Sequence, residues 1–255
     1  MRRALNALAP FALIAVLLIG WEAACRILAI PVYRLPPPSA VARALIANAP
    51  LLLVSAGRTF AMAMIALAVA SLIACTIATA AALSNPLERA VKPLAVALQV
   101  TPVVALAPLI QIWAGIDHPQ LAVVALTVVV AFFPIYSGAV TGLRAADPDL
   151  ERLFDLYGAT PIQRLAKLRI PSAVPFLLEG HKVAVGLSLV GAVVAEFAAG
   201  SGGSQGLAWR ILEAGNRLQT AKMIAALVVL AMMGGALHAA FSALERRALT
   251  RWRGR

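Results

Sequence analysis

A carboxyl group inside an apolar stretch is the residue of this chain most able to do chemistry. Glu196 stands in Val193-Val194-Ala195-Glu196-Phe197, and an acid at that depth of a hydrocarbon layer needs a partner, a wet cavity or a proton to carry. Its place near the end of its run also lets it snorkel to water, so both readings stand. Glu22 is similar but closer to an interface, which favours a structural job. His118, His181 and His238 are far apart in sequence and show no HExxH-type spacing, so no metal site is indicated. Ser188 has no GxSxG around it, and no other pairing of nucleophile and base emerges. There is no GxxxxGK[ST], and the glycines between Gly200 and Gly206 lack dinucleotide-fold spacing, so that stretch reads as a flexible turn. The chain therefore carries no catalytic residue and binds no cofactor of its own. If ATP supplies energy, another chain must hydrolyse it.

A second polar group lies in the run Pro93 to Ile116. Pro102 and Pro108 break the helix expected there, and Gln99, Thr101 and Gln111 add hydrogen-bonding side chains. Broken helices survive in membranes where their backbone is buried in protein or lines a pathway. Gln99, Thr101, Pro102, Gln111 and Glu196 are accordingly the candidate pathway residues. Gly138 and Gly142 form a GxxxG pair, for which close helix packing is the default.

The elements that must position these residues are membrane spans. Of the 255 residues 62% are apolar and 13% charged, and mean hydropathy is +0.88; soluble domains are nearer half apolar and a quarter charged. The net charge of +11 could suggest nucleic acid, but no basic stripe interleaved with aromatics accompanies it, and contact with anionic lipid explains it better. Cys25 and Cys75 both sit in apolar runs and suggest no disulfide. Arg2-Arg3 and the following apolar run mimic a signal peptide, but that run extends to about Ala24, so a retained first span is expected. A crossing takes roughly 20 residues, and spans are expected at about 8–28, 60–83, 93–116, 121–143, 176–199 and 223–244, all in one transmembrane domain covering residues 1–255. Pro36-Pro37-Pro38-Ser39 predicts a proline stop and a serine-capped helix over 39–57 lying along the outer surface. With six spans both termini share a side. That side holds fifteen of the Lys and Arg residues, including Arg89, Lys92, Arg144, Arg164, Arg169, Arg246 and Arg247, against seven on the other. The excess marks the cytoplasm.

One polar insert, 144–175, interrupts this pattern on the cytoplasmic side. Asp147 is a good N-cap, Pro148 suits the first helical position, and Asp149 and Glu151 favour the positive end of the helix dipole. Leu150, Leu153, Phe154 and Tyr157 share one face, and Gly158 stands where a left-handed C-terminal residue belongs. Thr160, Pro161 and Gln163 start a second helix with a capping box, and Pro171 and Pro175 are expected to stop it. Helices this short need a packing partner.

This loop closely resembles the cytoplasmic EAA loop in membrane subunits of ATP-binding-cassette importers: Glu-Ala-Ala, three residues, Gly, then nine residues to Ile-x-Leu-Pro. Gly158 matches the glycine, and Leu168-Arg169-Ile170-Pro171 matches the close. Arg152-Leu153-Phe154 replaces Glu-Ala-Ala, with Glu151 one residue early. Ala131-Phe132-Phe133-Pro134, Gly142-Leu143-Arg144, Asp147-Pro148-Asp149-Leu150, Val193–Phe197 and Leu244-Glu245-Arg246-Arg247 are similar to the branch handling nitrate, sulfonates, taurine and pyrimidine precursors of thiamine. The resemblance implies an all-α, type I importer permease of the bacterial inner membrane, not itself an enzyme. It implies a homodimer, cytoplasmic ATPase partners that bind ATP and Mg, and an external solute-binding protein delivering a small anionic or heterocyclic solute. It also implies that Leu150, Glu151, Arg152, Leu153, Phe154, Asp155, Tyr157, Gly158, Ala159 and Pro171 form the ATPase-docking element. A proton-coupled transporter using Glu196 is the alternative.

Overall fold

Long runs free of charge become long helices, and prolines decide where they bend. The computed structural model describes residues 2–115, 117–199 and 205–252, and every regular element among them is helical. The expected loop at Gly200–Ser204 falls outside these residues. In order the helices are α1 (Arg2–Ile27), α2 (Pro38–Ala47), α3 (Ala49–Leu83), α4 (Asn85–Val100), α5 (Val103–Ala114) and α6 (Pro119–Arg144). There follow α7 (Pro148–Leu156), α8 (Pro161–Arg164), a π turn (Leu165–Arg169), α9 (Ile170–Ala199), α10 (Leu207–Asn216) and α11 (Thr220–Trp252).

Four of these are long and apolar enough to cross a membrane: α3, α6, the continuous Pro161–Ala198 and α11. The pair α4–α5 makes a fifth only if a bend of 102° is counted within one crossing. Six crossings are thus not reproduced by these helices alone, although α1 covers the first expected span. The third expected span, 93–116, is corrected to this bent pair. Pro102 causes the bend, because a residue before proline avoids the helical region and Thr101 is extended at ψ 125. Pro108, by contrast, sits inside α5 without breaking it.

Two further boundaries differ from expectation. The surface helix expected over 39–57 ends at Ala47, and residues 49–57 are the first turns of α3. Pro171 and Pro175 do not stop the second loop helix, which runs on into α9. The Ile170 N–H reaches back five residues to the Leu165 carbonyl, and this widened turn shifts the hydrogen-bond register just before Pro171, which can then occupy a first-turn position.

Contacts divide the chain into two units, Met1–Gly57 with Gln205–Ala231 and Arg58–Ser204 with Met232–Arg255. In the first, Glu22 of α1 accepts hydrogen bonds from the Ser39 N–H at 3.0 Å and Oγ at 2.9 Å and pairs with Arg26. Ser39 is therefore not the cap expected of it. Pro37 holds that position, and a carboxylate from α1 sits at the positive end of α2. This is the structural job anticipated for Glu22. The helix α10, not anticipated, buries Leu207, Ala208, Ile211 and Ala214. Its Arg210 donates to Ser55 at 3.1 Å, and the hydrogen bond from Arg210 holds the Glu213 carboxyl below the usual carboxylate range.

The second unit is organised by α6 against α9. A Cβ added to Gly138 would lie 2.7 Å from the Phe176 carbonyl oxygen, one on Gly142 would lie 2.8 Å from the Ala173 Cα, and one on Gly180 would lie 2.7 Å from the Pro134 oxygen. The GxxxG pair thus packs helix on helix, as expected. Ala131, Phe132, Ile135, Tyr136 and Ala139 of α6 and Ala173 and Ala184 of α9 form the core there with Ala70, Ala74 and Ala78 of α3. His181 is part of this packing, bonding Leu177 O through Nδ1 at 2.7 Å and Ser71 of α3 through Nε2 at 3.0 Å.

Candidate functional site

The insert between α6 and α9 folds as its local signals dictate. Asp147 accepts from the Asp149 N–H at 2.8 Å. At the other end of α7 the Gly158 N–H bonds Asp155 O at 3.0 Å and the Ala159 N–H bonds Phe154 O at 3.0 Å. These two bonds, with Gly158 at φ +63, make a Schellman ending. Thr160 and Gln163 then close both halves of the capping box, at 2.9 and 3.3 Å.

The surface of this hairpin is apolar where it meets solvent. Leu156 is 85% exposed, Tyr157 82% and Ile162 71%, with Leu150 and Leu153 also exposed. Leu153, Phe154, Tyr157, Ala159, Gln163 and Lys167 line a shallow groove of about 290 Å³. No residue of α7 is fully buried, and Phe154 is its half-buried apolar contact. Leu156 and Ile162 were not picked out in the sequence because they fall off the stripe through Leu150, Leu153, Phe154 and Tyr157.

The acids of the loop turn inward to arginines of the same loop. Glu151 accepts from Arg169 Nε at 2.7 Å and lies 3.3 Å from Arg164. Arg164 also pairs with Asp155. Arg169 donates a second bond, to Ala82 O near the end of α3, at 3.2 Å. Arg152 is exposed and reaches Asp149 at 3.2 Å. Pro171 is the second residue of α9. A pairing 87 residues apart leaves no local signature, so the role of Arg169 was not legible beforehand.

The pathway candidates do not converge on one cavity. Gln99 lines a hollow of about 340 Å³ with Phe133, Gly138, Phe176, Glu179 and Gly180. Thr101 bonds back to Ala97 O at 2.7 Å beside Pro102, at the bend. Gln111 of α5 donates to Ala198 O of α9 at 3.0 Å. Glu196 is 1% exposed and accepts from Thr59 Oγ1 of α3 at 2.7 Å, so it is held by the protein and does not snorkel. Ser188 bonds Val185 O within its own helix.

Residues 71–250 match the family described as binding-protein-dependent transport system inner membrane component. Over 254 residues, 99% of each chain, the protein is 32% identical to the formylaminopyrimidine transport permease protein ThiX of Halalkalibacterium halodurans. It is 35% identical over 166 residues to the riboflavin transport system permease protein RibX of Chloroflexus aurantiacus, covering 65% of this chain and 60% of that one. Identity to the taurine transport system permease protein TauC of Escherichia coli is 28% over 248 residues, 94% of this chain and 88% of the relative.

Proposed function

Because the chain belongs to the family of binding-protein-dependent transport system inner membrane components, a family of transport subunits and not enzymes, we propose that it couples solute passage to separate ATPases through the α7–α8 hairpin. The observation that carries this is the hairpin's capped, rigid backbone presenting Leu153, Leu156, Tyr157 and Ile162 to solvent. Two copies of the chain, each docked on one cytoplasmic ATPase, form the working membrane unit, with both termini in the cytoplasm as the Lys and Arg distribution favours. ATP and Mg bind the ATPases, whose closure moves the hairpins, and the spans then open outward to receive solute from an external binding protein. The relatives are named for a formylaminopyrimidine, riboflavin and taurine, which supports a small anionic or heterocyclic solute.

Gly158→Trp tests the docking. Nothing lies within 4 Å of a Cβ added there and the left-handed backbone costs about 1–2 kcal/mol, so the variant is expected to keep its place in the membrane while an indole stands in the docking face. Loss of the co-purifying ATPase is expected, and unaffected co-purification overturns the assignment. Glu196 sets the test of the proton-coupled alternative. Uptake that persists without any ATPase but fails in Glu196→Gln would establish it.

A further inference from the structure

The hairpin is held to the rest of its unit in an unusual way. With no fully buried residue in α7, packing fixes it weakly, and beneath it lies a hollow of about 460 Å³ lined by Ala78, Ala82, Glu88, Arg144, Glu151 and Arg169. Arg144 of α6 pairs with Glu88 of α4 there, and Arg169 is the lining guanidinium that links α7 to α3. Arg169 meets Glu151 of α7 at 2.7 Å and Ala82 O of α3 at 3.2 Å, and it is itself the residue that leads into α9. Ala82 is the penultimate residue of α3, where carbonyls lack intrahelical donors and the dipole attracts a cation.

The departure at the front of the loop fits this arrangement. One residue is about 100° of rotation on a helix, so an acid at Glu151 faces away from the side that Arg152 presents. The side chain of Glu151 is 22% exposed and that of Arg152 79%. The acid of this loop is spent inside the chain.

We propose that Arg169 is a positioning residue for coupling: it locks α7, through Glu151, onto the C-terminal end of α3, so that movement of α7 is passed to the spans instead of being absorbed by the loop. This deepens the docking role proposed above and rests on it. An arginine is needed because its planar fork donates in two directions at once, which a lysine ammonium on one stem does not reproduce.

Spin labels on Leu156→Cys of α7 and Leu87→Cys of α4, in a chain with Cys25 and Cys75 changed to alanine, test the lock with no ATPase present. A narrow distance distribution is expected with Arg169 and a broad one in Arg169→Gln and Arg169→Lys; an unchanged width in Arg169→Gln overturns the proposal. In liposomes with the partner ATPases, Arg169→Gln should keep ATPase co-purification and ATP hydrolysis while solute moved per ATP falls about tenfold. Loss of co-purification in Arg169→Gln would place that arginine in the partner contact and overturn the lock. The exchange Glu151→Arg with Arg169→Glu should not restore transport, because glutamate at that position has no donor for Ala82 O. Full restoration would overturn the tether to α3. Failure of the unaltered chain to hold an ATPase overturns the docking role instead, and the label distances still decide the lock.

Discussion

The α6–α9 seam and the α7–α8 hairpin lie next to each other in the chain and are stabilised by opposite means. In the seam, Gly138, Gly142 and Gly180 let two backbones touch, and Ala139, Leu143, Ala173 and Ala184 of the same two helices are buried. In the hairpin α7 and α8 bury nothing fully, and caps and arginine–carboxylate pairs define the shape. Packed contacts resist displacement in every direction, because interiors are dense and voids are costly. Caps and ion pairs hold a local shape but let the whole element move. A transport subunit needs both, a rigid wall and a handle.

The largest effect should come from disturbing the seam. Gly138→Leu drives a side chain into the Phe176 carbonyl 2.7 Å from the new Cβ, and backbone cannot step aside as a side chain does. A cost of about 3 kcal/mol or more is expected, read as loss of folded protein in membranes. The same kind of change in the hairpin should cost far less. Gly158→Ala meets no atom within 4 Å and pays only for its left-handed backbone, about 1–2 kcal/mol. Equal losses of thermal stability in the two variants would erase the contrast.

Next in size is Leu156→Asp. The side chain is 85% exposed, so the free chain should fold as before, with thermal stability changed by less than about 0.5 kcal/mol. If Leu156 is an anchor in the docked state, ATPase affinity should fall by about 2 kcal/mol or more. Unchanged affinity in a pull-down titration would move the docking face elsewhere on the hairpin.

These two regions also differ in how much of them the sequence discloses. Caps act over three or four residues, so Asp147, Gly158, Thr160 and Gln163 announce α7 and α8 directly. GxxxG is nearly as local and points to close packing, though not to Ala173 and Phe176 as the partners. Proline misleads in both directions: Pro102 bends the chain by 102° with α4 and α5 on either side, whereas Pro171 is accommodated by a π turn that no propensity anticipates. Arg169 with Ala82, and Glu196 with Thr59, depend on helices meeting across 87 and 137 residues. Single residues carry no trace of such partners. The buried state of Glu196 is one of two readings for that reason, and α10 is hidden because it is ten residues long, has no side-chain cap and follows a glycine run.

Salt should separate the regions without any mutation. The Debye length falls to about 3 Å at 1 M, and the pairs of Glu151, Arg164, Asp155 and Arg169 are partly exposed. Exposed pairs contribute about 0–1 kcal/mol each, so amide exchange in Pro148–Leu156 should quicken several-fold between low salt and 1 M. Exchange across the α6–α9 seam should not respond. A parallel rise in both would mean that the hairpin and the seam open together.

The smallest effect tests whether that independence extends into one continuous helix. Thr160→Ala removes the side-chain half of the capping box, a loss of about 1 kcal/mol. The helix it caps runs without interruption through the π turn to Ala198. If stability were shared along its length, the loss would be felt at Gly180 as well as at Gln163. The π turn argues otherwise, since its bond from Ile170 to Leu165 begins a new register anchored by the seam. Exchange of the Gln163 amide, which bonds Thr160 Oγ1 at 3.3 Å, should therefore quicken about fivefold, while amides beyond Ile170 keep their protection. Faster exchange on both sides of the turn would make the hairpin part of the wall and leave the subunit without a separate handle.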